Sequence, residues 1–335
     1  PNQDNVDNAY NYAYELGRNF PNHPINLYLG EQNPRNLNVQ FDDVTLKEIS
    51  ASASADKEFV KVFSNKDKLY YEQELAHETI HNILISIYGP SSEYGFLKPQ
   101  DYAMIYMIDE AVANTWEQWV RASSPEFAAT RNKTIQNIAQ ARNDNDTYDA
   151  IENSMRAQNP NVTPAEIGQA FFDWAFSASN YGYVGKRIPL AMKEVYSQDN
   201  YAANPYYDEY KQYGEVLIYD FFKTATKMLP FTLDKTKDIN FYKIKFDEAV
   251  NFIVQAPLDK DKTNTIKYWY DYDAKEESLK RMQKDAQANY SFIDSEDEDK
   301  LNEVFAKYRI KIQKAGSKVA KVQTRPDVNI FSSIQ

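Results

Sequence analysis

The spacing of hydrophobic residues changes along the first part of the chain. Residues 5–18 carry aliphatic and aromatic side chains at helical intervals, and we expect the resulting helix to end at Gly17 as its cap. Three later stretches, 25–29, 37–41 and 59–63, alternate or run apolar for about five residues between turn-forming residues, which is typical of strands. The pattern therefore predicts an opening helix followed by a small sheet.

Helical spacing returns in two longer segments. Residues 70–88 place apolar side chains on one stripe, and Gly89-Pro90 ends the segment. Residues 101–121 repeat the pattern after Pro99, with an apolar stripe that includes Ile108 and Trp116. Two long helices are predicted to follow the sheet.

The second half of the chain is predicted to be mostly helical. Asn and Asp are frequent over 141–163, where Pro160 interrupts the pattern, so we place a boundary there between an N-terminal lobe, 1–140, and a helical C-terminal lobe, 141–335. The sequence Thr163-Pro164-Ala165-Glu166 is typical of a helix start. The predicted elements of this half are helices over 164–178, 187–197, 206–228, 245–255, 273–290 and 295–321, the last one strongly charged, and a strand over 240–245. The expected fold class is α+β, predominantly helical.

Composition narrows the choice of partners. Hydrophobic residues make up 42% and charged residues 26% of the 335 residues, as in ordinary globular proteins. A formal net charge of −11 argues against binding to nucleic acid or to an anionic membrane surface, and no apolar run reaches the ~20 residues of a membrane span. We expect a monomer. Because the chain has no cysteine, we favour an exported protein (secreted, periplasmic or surface-anchored after loss of a signal segment), while a cytoplasmic location stays open.

One short motif in the sequence indicates a metal-binding and catalytic site. Residues 77–81 read His77-Glu78-Thr79-Ile80-His81, the H-E-x-x-H pattern, inside a segment that hydrophobic spacing already predicts to be a helix. Positions i and i+4 lie one turn apart on the same face, so both imidazoles can reach one zinc ion while Glu78 acts as general base on a water molecule. Such a site fits any metal-assisted hydrolysis of an amide or ester.

A catalytic zinc site usually has three protein ligands and one open position. With no cysteine in the chain, the remaining candidates are His23 and a carboxylate. His23 precedes Pro24 and is expected to be a surface-loop residue. Glu110 interrupts an otherwise apolar run of the next predicted helix, and a buried carboxylate needs a partner, so Glu110 is the predicted third ligand.

The combination of H-E-x-x-H on one helix with Glu110 in the sequence Glu110-Ala111-Val112-Ala113-Asn114 on the next resembles the gluzincin clan of zinc metallopeptidases, which includes thermolysin-like enzymes. The resemblance covers residues 58–121. It implies a zincin-like fold and a protein or peptide substrate. It also implies that Asn114, where the clan often has Asp, hydrogen-bonds a ligand histidine.

The resemblance suggests two further features. Zincins pair the substrate with an edge strand that precedes the motif helix, and residues 59–63 are the candidate strand. The clan commonly supplies an oxyanion-stabilising Tyr or His from the second lobe, for which Tyr183 is the first candidate. The candidates ranked behind it are Tyr106, Tyr181 and Arg187.

Three functions remain open from the sequence. The first is an active zinc peptidase, with endopeptidase slightly favoured because no G-x-M-E-N segment precedes the motif. The second is a catalytically inactive zincin-like scaffold that binds a protein or a glycan. The third is a zinc hydrolase of another class, such as an amidase.

Overall fold

The computed structural model describes residues 3–29, 38–42, 51–54, 59–63, 68–88, 99–177, 179–180 and 214–255. This part of the chain is predominantly helical, as predicted. Its helices are α1 (Gln3–Asn19), α2 (Lys68–Tyr88), α3 (Pro99–Ser123), α4 (Asp144–Gln158), α5 (Pro164–Ala175), α6 (Gly214–Thr226) and α7 (Ile239–Gln255). Its strands are β1 (Asn38–Asp42), β2 (Ala51–Ser54) and β3 (Phe59–Phe63). The predicted helices at 187–197, 273–290 and 295–321 lie outside the described residues.

The three strands form one sheet in the order β1-β3-β2. Strand β3 pairs parallel with β1 along its whole length and antiparallel with β2. The expectation that residues 59–63 form an edge strand is therefore wrong, because both hydrogen-bonding sides of β3 are taken within the described sheet. An extended peptide could not add to β3 without displacing a neighbour.

Residues 25–29 do not form the predicted strand. Pro24–Leu27 is a 3₁₀ helix, and Pro24 occupies its first turn, where a missing N–H costs nothing. The His23 side chain caps the turn by accepting a hydrogen bond from the Ile25 N–H at 2.9 Å. Local capping thus outweighs the short alternation of apolar residues.

Gly17 does not cap α1, which continues to Asn19. A Cβ atom at Gly17 would lie 2.5 Å from Asn26 Oδ1 and 2.8 Å from Leu29 Cδ1. The Asn26 amide in turn donates to the carbonyl of Gly17 at 3.2 Å. The glycine therefore permits the close approach of the 3₁₀ segment to α1.

The strand predicted at 240–245 is also wrong, since α7 runs through it. Ile239, Tyr242, Phe246 and Ala249 are all buried, at intervals of three and four residues. That spacing places them on one face of a helix, so burial over about three turns overrides a short run of strand-forming residues.

Helices α2 and α3 pack directly against each other in the described part of the chain. The apolar stripes predicted for both are largely buried, with Leu84 of α2 and Ile108 of α3 at 1% and 0% exposure. Trp116 of α3 is buried and donates from Nε1 to the Met228 carbonyl at 2.5 Å. Residues on both sides of residue 140 contribute to this core, and the division into two lobes stays a prediction.

Helices α4 and α5 pack on α3 around a second, smaller core cluster. Helix α5 begins with the predicted capping box, in which Glu166 accepts from the Thr163 N–H at 2.7 Å and the Thr163 hydroxyl accepts from the Glu166 N–H at 3.2 Å. Among the described helices, none combines the length and the apolar character that crossing a bilayer requires.

Candidate metal centre

The two histidines of the motif project from one face of α2. His77 and His81 are separated by one helical turn, and their Nε2 atoms lie 2.9 Å apart. Both side chains are 13% exposed, so they stand at the surface of the α2–α3 pair and are accessible from one side. His77, Glu78 and His81 each offer a ligand atom within 4.8 Å of the others, and this group could hold a metal ion.

Glu110 faces this pair from α3. Its Oε2 lies 3.5 Å from His77 Nε2, and its Oε1 lies 3.6 Å from His81 Nε2. The residue is 7% exposed. The carboxylate thus straddles the two inward-facing nitrogens, which is the arrangement that a third ligand would need.

Two further acidic residues of α3 face the Nδ1 atoms of the imidazoles, which are the outer nitrogens of the pair. Asp109 Oδ1 lies 2.7 Å from His81 Nδ1 and makes a hydrogen bond with it. Glu117 Oε2 lies 3.0 Å from His77 Nδ1, but the approach departs from the direction of a regular hydrogen bond. The pairing of 81 with 109 and of 77 with 117 shows that α2 and α3 run antiparallel here.

The acids change the proton affinity of both rings. Burial alone would lower the pKa of His77, but the carboxylates of Glu110 and Glu117 outweigh it and raise that pKa well above 6.5. For His81 burial is likewise outweighed, by Asp109 and Glu110, which raise the pKa to about 9. In the absence of metal the site therefore attracts positive charge.

Glu78 lies beside the pair and is 8% exposed. Burial raises the pKa of its carboxyl group above 4.5, while the two nearby histidines lower it and the other acids raise it further. A carboxylate with raised proton affinity can accept and return a proton.

Asn114, the expected partner of a ligand histidine, is buried on α3. The atoms that face the two Nδ1 nitrogens belong instead to Asp109 and Glu117, which the sequence analysis missed. Spacing could have indicated one of them, because Glu117 follows Glu110 by 117 − 110 = 7 positions, two turns along the same face. Tyr106 is partly buried and packs against the core, whereas Tyr183, Tyr181 and Arg187 lie outside the described residues.

His23 is a core residue, contrary to the expectation of a surface loop. It is 1% exposed, its Nε2 lies 3.1 Å from the Ala76 carbonyl, and its ring packs edge-on against Trp116. Because Nδ1 accepts from Ile25 and Nε2 donates to Ala76, both nitrogens are engaged in the fold. His23 thus links the 3₁₀ segment to the turn of α2 that precedes His77.

The residues present fit a metal ion. A carboxylate faces each Nδ1 atom, and both Nε2 atoms point into the same space at 2.9 Å from each other. Two imidazole nitrogens this close together need a hydrogen or a metal ion between them, and with Glu110 they form a set of two nitrogens and a carboxylate that can bind a metal ion.

Comparisons of the chain with protein-family models, with curated proteins and with solved structures found no match. The interpretation of function therefore rests on the His77-Glu78-His81 group, which could hold a metal ion.

Proposed function

We propose that the protein is a zinc-dependent peptidase with a zincin-like arrangement, in which Glu78 is the general base. The observation that carries the proposal is the convergence of three donors, since the Nε2 atoms of His77 and His81 lie 2.9 Å apart and both lie within 3.6 Å of the Glu110 carboxylate. Three nitrogen and oxygen ligands are the usual protein contribution to a catalytic zinc site.

The proposed ligands are His77 and His81 through Nε2 and Glu110 through its carboxylate. Zinc suits this set because it accepts both imidazole and carboxylate ligands and needs no thiolate, and the chain has no cysteine. When bound, it would lower the pKa of a coordinated water and polarise a substrate carbonyl. Partial exposure of both histidines supports access by a substrate.

Glu78 is suited to proton transfer by position and by environment. It follows His77 directly on α2, and its ligand atom falls within 4.8 Å of those of both histidines. Its raised pKa, caused first by burial, favours accepting a proton from an attacking water at a carboxylate oxygen. The same oxygen would then return the proton to the leaving amine.

We propose a peptide substrate because of the order in which the sheet and the two helices of the site follow one another along the chain. A small sheet precedes the motif helix, and the helix that supplies the third ligand follows it, as in the metallopeptidase clan that the motif resembles. The outer strands of the described sheet are β1 and β2, so an extended substrate would have to pair with one of these.

The first test measures bound metal and cleavage of an unstructured protein on the same preparations. We expect one zinc per wild-type chain, loss of zinc in Glu110→Ala, and retained zinc without cleavage in Glu78→Gln. Loss of the general base should lower kcat by about 10²-fold or more with little change in zinc content. Glu248→Gln, which removes a charge from the exposed side of α7, is the matched control and should behave as the wild type.

Two results would count against the proposal. If Glu110→Ala binds as much zinc as the wild type, Glu110 is not a ligand of the metal. A zinc-loaded protein that cleaves no peptide would favour a binding scaffold or a hydrolase of smaller amides.

A further inference from the structure

We propose that Asp109 and Glu117 are the positioning residues of the metal centre. They hold the hydrogens on the outer nitrogens of His81 and His77, and so turn both Nε2 lone pairs toward one point. This inference rests on the proposed metal site, and it assigns a role to two residues that the motif does not contain.

His81 makes the shorter of the two contacts with these acids. Its Nδ1 lies 2.7 Å from Asp109 Oδ1, a short distance typical of a charge-assisted hydrogen bond. An ionised carboxylate can only accept, so the hydrogen must be on Nδ1. An imidazole that binds a metal ion is neutral and carries one ring hydrogen, so with that hydrogen on Nδ1 the lone pair of His81 would be at Nε2.

His77 makes a longer and less well aligned contact of the same kind. Glu117 Oε2 lies 3.0 Å from His77 Nδ1, at an angle that does not make a regular hydrogen bond. The carboxylate still favours a hydrogen on Nδ1 electrostatically, and so leaves Nε2 free to bind the ion. Asp109 should accordingly fix its ring more firmly than Glu117 does.

Helix α3 supplies three carboxylates that face the nitrogens of the two histidines. Glu110 faces the two Nε2 atoms, while Asp109, one residue earlier, and Glu117, two turns later, face the two Nδ1 atoms. One rigid helix therefore sets both the third ligand and the orientation of the first two. Ordinary surface ion pairs have no reason to adopt this division between inner and outer nitrogens.

The two positioning side chains can be altered without opening the core. Asp109 and Glu117 are 23% and 26% exposed, in contrast to the 9% of the Glu110 side chain. Replacing either one removes a hydrogen-bond acceptor and a charge from a side chain that lies at the edge of the helix pair and not in its fully buried core. The metal-free variants should therefore fold, which near-ultraviolet circular dichroism would check.

The first experiment measures zinc affinity by competition with a chelator. Loss of an acid that orients a ligand histidine typically weakens metal binding by about 10- to 100-fold, and we expect a loss in that range for Asp109→Ala. Asp109→Asn keeps an acceptor without the charge and should fall between Asp109→Ala and the wild type. Glu117→Ala should lose less than Asp109→Ala, and Glu248→Gln should be unchanged.

The second experiment reads the ring hydrogens directly. The chain has only three histidines, so nitrogen–proton correlation spectra of the histidine-labelled, zinc-loaded protein should resolve each imidazole. We expect hydrogens on Nδ1 and zinc on Nε2 for His77 and His81. In Asp109→Ala the His81 Nδ1 signal should shift and its hydrogen should exchange faster with water, an effect that a general loss of stability would not confine to one ring.

The outcomes separate this inference from the proposed function. If wild type binds zinc and both alanine variants bind it with unchanged affinity and unchanged ring signals, the positioning role is overturned while the metal site stands. Zinc on Nδ1 of either histidine would also overturn it. If wild type binds no zinc, both proposals fail.

Discussion

At the scale of single residues, the three histidines show how the surroundings of a side chain change its pKa and its role. His23 is enclosed by apolar neighbours and two backbone groups, and burial lowers its pKa to about 3. His81 is also buried from most sides, but Asp109 and Glu110 raise its pKa to about 9. Nearby charge, not burial alone, therefore decides whether a ring attracts a cation or excludes one.

His23 should make the protein sensitive to acid. Between its unfolded pKa of 6.5 and its folded pKa of about 3, the unfolded chain binds a proton that the folded chain does not, so stability falls as pH drops through this window. The slope is about 1.4 kcal/mol per pH unit for one such group. The variant His23→Asn keeps an acceptor for the Ile25 N–H but has no imidazole to protonate. Between pH 7 and pH 5, its free energy of unfolding in urea should therefore fall by about 1–2 kcal/mol less than that of the wild type.

That variant should be less stable than wild type at pH 7, because it gives up the bond to Ala76. His77 and His81 cannot mimic the effect, since a raised folded pKa makes their contribution full below pH 6.5 and lost as pH rises above it. An unchanged pH dependence in His23→Asn would show that folding does not lower the pKa of His23.

At the scale of elements, a buried ion cluster joins α4 to α3. Arg121 donates to both carboxylate oxygens of Asp149, at 2.9 and 2.6 Å, and both side chains are 1% exposed. Asp149 also accepts from Arg131 Nε at 2.7 Å and from the Asn132 N–H at 2.7 Å. The two partners therefore differ, since Asp149 also pairs with Arg131, whereas Asp149 is the one carboxylate that Arg121 contacts within the described residues.

Because the two partners differ, substituting each of them should lower the stability of the protein by a different amount. Asp149→Ala leaves a buried guanidinium without its carboxylate and should lower the free energy of unfolding by about 3–5 kcal/mol. Arg121→Met leaves Asp149 paired with Arg131 and should cost clearly less. Chemical denaturation of both variants would compare the two free energies, with Glu248→Gln as a charge control, and equal costs would contradict the assigned roles.

Sequence patterns predicted those elements whose signal repeats over several turns. Helices α2 and α3 and the pair of histidines on α2 follow from spacing alone, and Glu110 was found because it interrupts an apolar run. Asp109 and Glu117 were missed because their role depends on the register of α3 against α2. The strands expected at 25–29 and 240–245 failed because runs of five residues are too short to distinguish a strand from a turn or from one face of a helix.

At the scale of the whole molecule, the α2–α3 pair connects the candidate centre to the main core. Core residues of both helices pack beneath the site, and the His23 side chain contacts both, through the Ala76 carbonyl and the Trp116 ring. An ion that bridges α2 to α3 would therefore brace the two central helices of the described fold.

Zinc should accordingly stabilise the whole fold. An ion that binds only the folded state at 100 times its dissociation constant adds about 2.7 kcal/mol to the free energy of unfolding. Thermal or urea unfolding of the wild type should shift with added zinc and return to the metal-free value with excess chelator. Glu110→Ala should show a much smaller shift, and an equal shift in that variant would place the stabilising ion elsewhere.

The antiparallel contact of α2 with α3 also has a kinetic consequence. Every residue assigned to the centre lies between positions 77 and 117, so the site depends on contacts that are close together in the chain. Short loops close quickly and at low entropic cost, and proteins with local contacts fold fastest. The centre can therefore assemble as soon as these two helices dock, and in hydrogen exchange its amides should belong to one cooperative unit that opens late.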